Sequence, residues 1–469
     1  MKKLFVLTLL LGVVFGSCEK LEITYGLLNS YPLVTTLEPV KEVNHDIVCQ
    51  IAEKYASSFL YSRGNNKNKV KEIIPLKNNQ DEILLYIVNY ENDKGFIIVS
   101  GNNECQPILA YGTTGNIDAK KIKNNGLSLW LSEQQYAIQN VKLLPDSTRM
   151  QNRRAWNKFF EKNAPVKLAI KSRSGDSDLE NQVGAYIEES LNEWSNDGYD
   201  IYPYGDGSIL DELFSSVDVN TIKDYLASDA EDRFLGGWSS TVYIRVKKNV
   251  VRKNMDPLLQ SSWGQKAGYN NGIPNKYPAG CCAVAVGQIM RYHEYPISYN
   301  WQLMNYNYPT DITAEFLYDV AEKMHTKYGE DVSTSTIDNS CKALREYGYN
   351  STVTSHHYAT VEKQLKNKMP VFMMGIKPGE KIGHAWVCDG FLSDTENAHY
   401  EVMVIDKTTM DMENRPYYRC VYNEDVTSIN MLLHMNWGWY GGSDGYYQDA
   451  SLRNIGYTEK REDIINIHP

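Results

Sequence analysis

The sequence predicts an α+β protein with more than one folded domain. The chain has 469 residues, which exceeds what one hydrophobic core usually supports. From Val250 onward helical patterns come first and strand patterns later, an order typical of α+β domains. A smaller unit at 46–145 mixes helix and strand patterns in the same way. We therefore expect two α+β domains, separated by a linker or insert at 146–249 whose role the sequence does not reveal.

Composition indicates a folded protein and argues against one class of partner. Hydrophobic residues make up 42% of the chain and aromatic residues 12%, and the formal net charge is −10. A phosphate-binding surface needs an excess of basic residues, and no basic stripe interleaved with aromatics is present. We therefore expect no nucleic-acid partner.

The first 18 residues have the pattern of an export signal. A cationic start is followed by an apolar run from Leu4 to Phe15, too short to span a membrane as a helix. The ending Gly16-Ser17-Cys18 is similar to a bacterial lipoprotein signal, which predicts lipidation of Cys18 and a tether at 19–45. Ordinary cleavage without lipid is the alternative. Either way we expect an exported protein of a bacterial envelope or surface, or a secreted one, with membrane contact only through this anchor.

The unit at 46–145 begins and ends with helix patterns. Ile47, Ile51, Tyr55 and Phe59 fit one helical face, and Leu127–Leu144 is a second helical stretch. Between them lie three strand patterns, at Ile83–Tyr90, Gly95–Ser100 and Pro107–Tyr111.

In 146–249, we expect short helices at Ala185–Trp194 and Asp218–Ala227 and a strand at Thr241–Val246. The basic residues of this segment predict an exposed stretch with cleavable bonds: Lys158, Lys162, Lys167, Lys171 and Arg173.

The first helix predicted in the domain at 250–469 begins at Cys281. Further helices are predicted around Ile312–Met324, Ser340–Tyr347 and Thr360–Lys368. Strands are predicted at Val371–Ile376, His384–Leu392, His399–Ile405, Ile429–Met435 and Gly445–Tyr447.

Two adjacent cysteines stand at the predicted start of the first of these helices. Gly280 permits a sharp entry, and the helix then runs from Cys281 to a stop at Tyr295-Pro296. The backbone N–H groups and dipole of a helix N-terminus favour thiolate over thiol. Neighbouring side chains on a helix are turned by about 100° from one another, so only one cysteine faces a cleft while the other packs. Two buried core residues are the alternative.

A histidine and an asparagine follow the cysteines on later strand patterns. His384 heads an apolar run, and Asn436 comes at the end of the run from Ile429 to Met435. A cysteine at a helix start with a later histidine and asparagine is the chain order of papain-like cysteine proteases.

Four segments carry a resemblance to the streptopain-like cysteine peptidases: Pro257-Leu258-Leu259 with Trp263-Gly264-Gln265, Gly280-Cys281 through Pro296, His384 through Gly390, and Asn436-Trp437-Gly438-Trp439 with Ser443-Asp444-Gly445. The resemblance implies a papain-like, two-lobed cysteine protease domain with a cleft between the lobes. Registering the helix on Gln288-Ile289-Met290 makes Cys281 the nucleophile, so that Cys282 is expected to pack.

The resemblance also implies the roles of the remaining site residues. His384 would hold the Cys281 thiolate as an ion pair, and Gln265 would donate to the developing oxyanion. Asn436 would accept a ring N–H of His384, and Trp437 would shield that bond from water. For Trp437 an aromatic core corner is the alternative, and both interpretations are compatible.

The loop after Trp437 departs from the family pattern. The family usually has Trp-Gly-Trp-Gly-Gly, whereas this chain inserts Tyr440 before Gly441-Gly442. We expect Trp439, Tyr440 and Gly441 to contact substrate, with Tyr440 altering substrate preference more than catalysis.

The unit at 46–145 resembles the propeptide of the same family, most clearly at Lys94–Gly101 and Pro107–Gly112. A generic α+β domain is the alternative. Its place ahead of the catalytic domain favours an inhibitory pro-domain, which would make it an intramolecular partner that covers the cleft until it is cut.

Several other residues are assigned structural roles. We expect His356-His357 to lie in a solvated loop, because no carboxylate or cysteine stands at metal-ligand spacing. His293 is expected to be a cation at the negative end of the cysteine helix, and Asp389 to buttress the His384 strand. The cysteines outside the motif are expected to be mostly reduced and buried. No cofactor or metal is expected.

The function predicted is that of a cysteine endopeptidase made as a zymogen, with protein or peptide substrates. Two alternatives remain: a catalytically silent surface lipoprotein that binds peptides or proteins, and a thiol acyltransferase or amidase on the same fold. Intact Gln265, Cys281, His384 and Asn436 argue against the silent protein, and the propeptide resemblance argues against the acyltransferase.

Overall fold

The fold was analysed in a computed structural model. The structure describes residues 33–36, 42–59, 69–122, 126–160, 162–165, 177–204, 208–214, 216–234, 240–377, 380, 383–410, 416–449 and 460–469. The predictions for the export signal and Cys18, and for the basic residues 167, 171 and 173, lie outside the described residues. The predicted tether at 19–45 includes a strand, Leu33–Thr36, that pairs antiparallel with Lys162–Pro165.

The described helices are α1 His45–Phe59, α2 Gly126–Gln139, α3 Asp146–Asn157, α4 Ser177–Asn196, α5 Ser208–Leu213, α6 Ser216–Phe234, α7 Cys281–His293, α8 Asp311–Lys323, α9 Ile337–Glu346 and α10 Tyr358–Lys366. The described strands are β1 Leu33–Thr36, β2 Val70–Lys77, β3 Ile83–Tyr90, β4 Phe96–Ser100, β5 Ile108–Gly112, β6 Lys162–Pro165, β7 Tyr199–Pro203, β8 Ser240–Met255, β9 Asn350–Ser355, β10 Val371–Ile376, β11 His384–Met410, β12 Pro416–Asn436, β13 Gly445–Gln448 and β14 Lys460–His468. Every helix and strand predicted above overlaps one of these elements, and five of them extend one or two residues past the observed end: Gly95–Ser100, Pro107–Tyr111, Ile312–Met324, Ser340–Tyr347 and Thr360–Lys368. The predicted helix Leu127–Leu144 extends further, into a short 3₁₀ turn beyond α2.

The chain divides into two compact units. The larger unit comprises Glu42–Leu144, Arg252–Asp394 and Asn430–Pro469, and the smaller one Met1–Lys41, Pro145–Val251 and Thr395–Ile429. The strands β8, β11 and β12 contribute residues to both units. The unit at 46–145 and most of 250–469 therefore belong to one compact body, whereas 146–249 belongs to the other.

The larger unit is organised around a sheet in the order β2-β3-β4-β5-β13-β12-β11-β10-β14-β9. Its strand β11 is buried on both faces. Because successive side chains of a strand point to opposite faces, alternate residues of β11 enter two different cores. From β11, Ala385 and Val387 enter a core built around α7, α8 and α9. Trp386 and Cys388 enter a second core, which α2 and α10 cover. Helices and an antiparallel sheet with two cores confirm the predicted α+β fold class.

Helix α7 lies in the first core because its sequence permits close packing. All residues from Cys282 to Arg291 are buried. A Cβ on Gly287 would lie 2.8 Å from Leu317 Cδ2, so only glycine lets α8 approach this closely. Gly280 precedes the helix with φ of 95° and Glu294 ends it in the left-handed region. The predicted entry and stop of this helix are confirmed.

One strand is longer than predicted. The two predicted strands His384–Leu392 and His399–Ile405 are parts of the single strand β11. The polar residues between them suggest a turn in the sequence, but Asp394 is used within the strand, where it accepts two hydrogen bonds from the Arg252 guanidinium at 2.7 and 3.0 Å. Pairing of β11 with its neighbouring strands therefore outweighs the local composition.

The smaller unit has its own hydrophobic cores. One joins residues of β7, β8, α5 and α6 to Tyr400, Val402 and Val426 of the β11–β12 hairpin. The other joins Trp194 of α4 and Tyr243 of β8 to the same hairpin. Residues 146–249 are therefore more than a linker, because they form folded structure with a distant part of the sequence.

Candidate active site

The side chain of Cys281 lies at the N-terminus of α7 and meets the first residues of β11. The backbone N–H of Ala385 donates to Cys281 Sγ at 3.4 Å. The His384 imidazole hydrogen-bonds the same thiol and adds favourable charge. The structure thus brings together the predicted nucleophile and its predicted partner, which are 103 positions apart in the sequence numbering.

Cys281 and Cys282 have opposite environments. A hydrogen bond from Cys282, the pairing with His384 and the Ala385 N–H together hold the pKa of Cys281 well below its ordinary value, although burial opposes them. The pKa of Cys282 is raised well above its ordinary value by its hydrogen bond to Cys281 and by burial. Cys282 is 3% exposed and its thiol points to the Ser335 carbonyl at 3.9 Å. These surroundings favour the thiolate form on Cys281 over Cys282, and Cys282 is buried, as expected.

The loop that carries Gln265 is held next to this cysteine. The Gln265 carbonyl accepts from the Ala279 N–H at 2.9 Å, directly before Gly280 and Cys281. Gln265 itself is 7% exposed, and Trp263 beside it is fully buried. Gln265 is therefore a buried residue of the site region and not a surface residue. Its donation to an oxyanion stays a prediction.

Asn436 is built into a network whose centre is Gln288. The Gln288 side chain accepts from Trp263 N and donates to Asn436 Oδ1, both at 3.0 Å. Asn436 also donates to the Ser261 carbonyl at 2.8 Å and accepts from Gly438 N at 3.2 Å. Through these bonds Asn436 joins α7 to Ser261 and Gly438. None of them involves His384, so the predicted acceptance of a His384 ring N–H stays a prediction.

Gln288 is a residue that the sequence reasoning missed. It served only to register the helix, yet it is fully buried and links three of the recognised motifs through its amide. Its position on the same helix as Cys281, surrounded by apolar residues, was the available signal, because a buried amide needs hydrogen-bond partners.

Trp437 is 2% exposed and packs between Trp386 and Tyr447, with ring centroids 5.3 and 5.0 Å away. Its backbone N–H donates to Asp444 Oδ1 at 2.9 Å. Burial raises the pKa of Asp444 to about 6, although the Trp437 N–H lowers it. The aromatic-corner interpretation of Trp437 is confirmed, and its shielding role stays a prediction.

Asp389, on the same strand as His384, binds residues of two other segments. One of its carboxylate oxygens accepts from Leu259 N at 3.0 Å, and its carbonyl accepts from Leu258 N at 2.9 Å. The other oxygen lies 2.6 Å from His434 Nδ1. Asp389 therefore buttresses the His384 strand, as predicted, and fastens the Leu258-Leu259 motif to it.

The three predicted substrate contacts lie on the loop after Trp437. Trp439 is partly buried, whereas Tyr440 is 42% exposed. Tyr440 and Gly441 both have positive φ, of 60° and 74°. The Tyr440 hydroxyl accepts from Lys266 N at 3.0 Å, on the loop that carries Gln265. Contact with substrate stays a prediction for all three.

His356 is not in a solvated loop, so that prediction is wrong. Its Nδ1 lies 2.8 Å from Asp463, and its Nε2 lies 3.1 Å from both oxygens of Asp449. The Arg461 guanidinium also donates to Asp449, at 3.0 Å. Burial and Arg461 lower the pKa of His356, but the two carboxylates outweigh them and raise it to about 9. We call His356, Asp449, Arg461 and Asp463 the charged cluster. Among the described residues no group of side chains forms a metal site.

His293 also differs from the prediction. Burial lowers the pKa of His293 to about 4, so the imidazole is neutral near pH 7. The expected cation at the end of α7 is therefore wrong, because desolvation outweighs the helix dipole. Among the described cysteines none forms a disulfide; Cys105, Cys341 and Cys388 are buried as expected, and Cys420 is exposed.

The unit at 46–145 contacts the aromatic residues beside the site. A Cβ on Gly126, the first residue of α2, would lie 2.5 Å from Trp437 Cε3 and 3.3 Å from Trp386 Cε3. Trp130 Nε1 donates to the Gln448 carbonyl at 2.9 Å. Strand β5 pairs with β13, and Tyr111 stacks on Tyr446 at 5.1 Å. This unit therefore continues the sheet that contains β11–β13 and shares its second core.

Comparisons with known proteins match two parts of the chain to two families. Residues 263–311 and 297–447 match the Peptidase C10 family, and residues 38–138 match the Spi protease inhibitor family. Streptopain of Streptococcus pyogenes is 24% identical over 234 residues, covering 40% of this chain and 49% of that protein. The thiol protease/hemagglutinin PrtT of Porphyromonas gingivalis is 24% identical over 270 residues, covering 46% and 26%.

Solved structures also overlap with the chain. Prointerpain A of Prevotella intermedia, as a fragment, aligns with a TM-score of 0.41 at 14% identity, covering 86% of this chain and 99% of that chain. Active interpain A aligns with a TM-score of 0.34 at 19% identity, covering 46% and 96%. The chain spans about half the length of the streptopains it matches.

The chain is thus similar to cysteine peptidases at 263–447 and to protease inhibitors at 38–138. The first match is to the family of streptopain, and the match to the Spi protease inhibitors lies ahead of it in the chain. None of the helices in the described part of the chain is long and apolar enough to cross a membrane.

Proposed function

We propose that this protein is a cysteine endopeptidase made as a zymogen, with Cys281 as its nucleophile. The observation that carries the proposal is the environment of Cys281, where His384 and the Ala385 N–H stabilise a thiolate at a helix N-terminus. Thiolate, and not thiol, is the nucleophilic form of cysteine. The Peptidase C10 match and the streptopain relatives support a peptide bond as the substrate.

The reaction begins with attack of the Cys281 thiolate on a peptide carbonyl carbon. The negative charge moves to the carbonyl oxygen, where the Cys281 N–H and the Gln265 amide donate to it, each donor contributing about 3 kcal/mol. The C–N bond then breaks, and the His384 imidazolium gives its proton to the leaving amine. The remaining thioester is hydrolysed by water, with His384 accepting a proton and the Cys281 thiolate leaving.

Latency is the second part of the proposal. The inhibitor domain packs its α2 start against Trp386 and Trp437, which flank His384 and Asn436 in the sequence. It also adds β5 to the strand β13 that follows the Trp437 loop. A domain anchored by a shared sheet and a shared core is well placed to obstruct the cleft. We infer that peptide substrates gain access once this domain is cut away.

Export and anchoring complete the proposal. The apolar run Leu4–Phe15 followed by Cys18 supports export with a lipid on Cys18. Growth of a bacterial expression strain with labelled palmitate tests this part. Label on the wild type and none on Cys18→Ser is the expected result, and an equal signal on both would contradict it.

The activity is tested by intact mass of residues 19–469 before and after incubation with a reductant at mildly acidic to neutral pH. The wild type is expected to lose an N-terminal fragment of inhibitor-domain size while Cys281→Ala stays whole. If both stay whole, trypsin is added and the product is treated with an epoxide peptide inhibitor. A trypsin-treated chain that takes up no inhibitor would overturn the proposal, as would incorporation of amines into a glutamine peptide without hydrolysis.

A further inference from the structure

Tyr440 contacts three residues of the loop that carries Gln265. It is also the residue by which this chain departs from the usual family pattern. Its hydroxyl accepts from Lys266 N at 3.0 Å, and its own N–H donates to the Trp263 carbonyl at 3.3 Å. Its ring covers Gly264, where an added Cβ would lie 2.1 Å from Tyr440 Cε1. Tyr440 therefore touches both neighbours of Gln265 in the sequence and the residue before them.

The same loop is also bonded at Gln265 itself. The Gln265 carbonyl accepts from Ala279 N at 2.9 Å, two residues before Cys281. The loop is thus held between the start of α7 and Tyr440. Oxyanion donors act only within about 2.7–3.1 Å of the oxygen, so a small displacement of this loop removes the Gln265 amide from range.

The backbone of Tyr440 shows that its side chain holds an otherwise unfavourable position. Its φ of 60° lies in the left-handed region, which glycine adopts without strain and tyrosine does not. Contacts to Gly264 and Lys266 offset that strain. One part of the ring rests on the loop while the side chain stays 42% exposed beside the site.

From these contacts we propose that Tyr440 is a positioning residue that holds the Trp263–Lys266 loop so that the Gln265 amide reaches the oxyanion. The inference rests on the proposed function only in its use of a Cys281 thiolate and an oxyanion. It differs from the sequence-based expectation that Tyr440 sets substrate preference, because it assigns an effect on kcat and not on KM.

The test compares Tyr440→Phe with the wild type after removal of the inhibitor domain. The variant keeps the ring over Gly264 and loses the acceptor for Lys266 N–H. Loss of one such bond predicts a fall in kcat of about five- to tenfold with KM unchanged. Alkylation of Cys281 by iodoacetamide forms no oxyanion, so its rate is expected to match the wild type. Tyr418→Phe, at an equally exposed tyrosine of 42%, is the control.

Each other outcome has a definite meaning. A raised KM at unchanged kcat would overturn the inference in favour of substrate binding. An equal loss of alkylation would show general damage to the Cys281–His384 pair, which also overturns it. If the wild type cleaves no peptide, hydrolysis of a nitrophenyl ester supplies the oxyanion instead. A slower ester reaction in Tyr440→Phe would then uphold the inference while the proposed function fails.

A second inference comes from the smaller unit. Residues 139–262 lie outside both family matches. Within them Ile187, Leu191 and Trp194 of α4 form a core with Met403 and Ile405 of β11, all at most 2% exposed. A second core joins Phe214 and Ile244 to Tyr400 and Val402. The Arg245 guanidinium adds two hydrogen bonds to Glu401 at 2.8 and 3.2 Å.

These contacts bear on what remains after the inhibitor domain is removed. The β11 residues in the two cores belong to the catalytic segment and cannot leave with the inhibitor domain. If 177–251 were lost, the apolar side chains of Tyr400, Val402, Met403 and Ile405 would become exposed to water, which is strongly unfavourable. We infer that residues 177–251 stay with the mature enzyme as a folded part of it, and that the activating cut lies before Ser177.

Limited trypsin digestion of Cys281→Ala tests this second inference independently of any peptidase activity. Trypsin has several cleavage sites within 177–251 and two directly after it: Lys223, Arg233, Arg245, Lys247 and Lys248, and then Arg252 and Lys253. The expected product, after gel filtration and mass analysis, is a core that contains 177–469, in one piece or as nicked fragments that stay associated. A stable core that begins after Val251, with the preceding segment degraded, would overturn the inference.

Discussion

Two regions of the larger unit each place a histidine beside charged or ionisable partners, and they differ in what that histidine can do. At the candidate active site His384 shares a hydrogen bond with Cys281, a residue of intermediate exposure. In the charged cluster His356 lies between two carboxylates, with its side chain 10% exposed. The first arrangement stabilises the ionised form of a nucleophilic side chain. The second arrangement uses all of its charges on each other, so we expect it to stabilise the fold without taking part in the reaction.

The largest expected effect separates the two regions by activity. Cys281→Ala or His384→Ala removes half of the reacting pair, so peptidase activity is expected to fall by about a thousandfold or more. His356→Ala is expected to leave kcat/KM of the folded enzyme within a few-fold. Fluorogenic-peptide assays on processed protein measure both. A His356 variant that folds normally but has lost activity to the same extent would break the distinction.

The second expected effect concerns the free energy of unfolding, to which the charged cluster is expected to contribute. His356→Ala leaves Asp463 and part of Asp449 buried without their imidazole partner, which is expected to cost about 3 kcal/mol of unfolding free energy. The neighbouring His357→Ala is the matched control, because His357 is exposed. Urea unfolding in a Cys281→Ala background avoids self-digestion. Equal unfolding midpoints for the two histidine variants would contradict the assignment.

A pH effect follows from the same residue. The pKa of His356 is about 9 in the folded protein against about 6.5 when unfolded, so folding favours its protonated form. The resulting stability, about 3 kcal/mol, is complete below pH 6.5 and is lost as pH rises through 9. Unfolding midpoints between pH 6 and 10 measure it. His356→Ala is expected to lack this part of the alkaline decline, and an unchanged decline would assign it to other groups.

The smallest expected effect concerns the two cysteines. Cys282→Ala removes the hydrogen bond that is the largest contribution to the low pKa of Cys281. The midpoint of iodoacetamide alkylation against pH is therefore expected to move upward, while activity at a pH above that midpoint changes little. Unchanged alkylation midpoints would mean that His384 and the Ala385 N–H suffice to hold the thiolate.

The comparison also explains which parts of the molecule the sequence predicts. Helix α7 is predictable because Gly280, its small residues and Pro296 act locally, and the His384 strand is recognised by its apolar run. The partners of His356 are not predictable from spacing, because Asp449 and Asp463 lie 93 and 107 residues further along the chain. The same reason hides the role of Gln288, which depends on Trp263 and Asn436. Local pattern gives the elements, whereas the charged cluster and the Gln288 network arise only when distant elements pack.

The continuity of β11 follows the same rule. The polar residues around Asp394 favour a break, but β11 is continuous because it pairs with strands from distant parts of the sequence. The packing of 146–249 also could not be predicted from the sequence. Its core residues have the apolar pattern of any small domain, and that pattern does not identify their partners. Their partners in the catalytic segment, such as Tyr400 and Val402, are visible only in the folded chain.

The most direct test of the central claim is to locate the site of covalent labelling. Protein freed of its inhibitor domain is treated with an epoxide peptide inhibitor at neutral pH, digested, and mapped by mass spectrometry, alongside His384→Ala. The account predicts one label per chain on Cys281, none on Cys282, and much slower labelling of the His384 variant. Label on Cys282, or labelling of Cys281 that does not depend on His384, would contradict it.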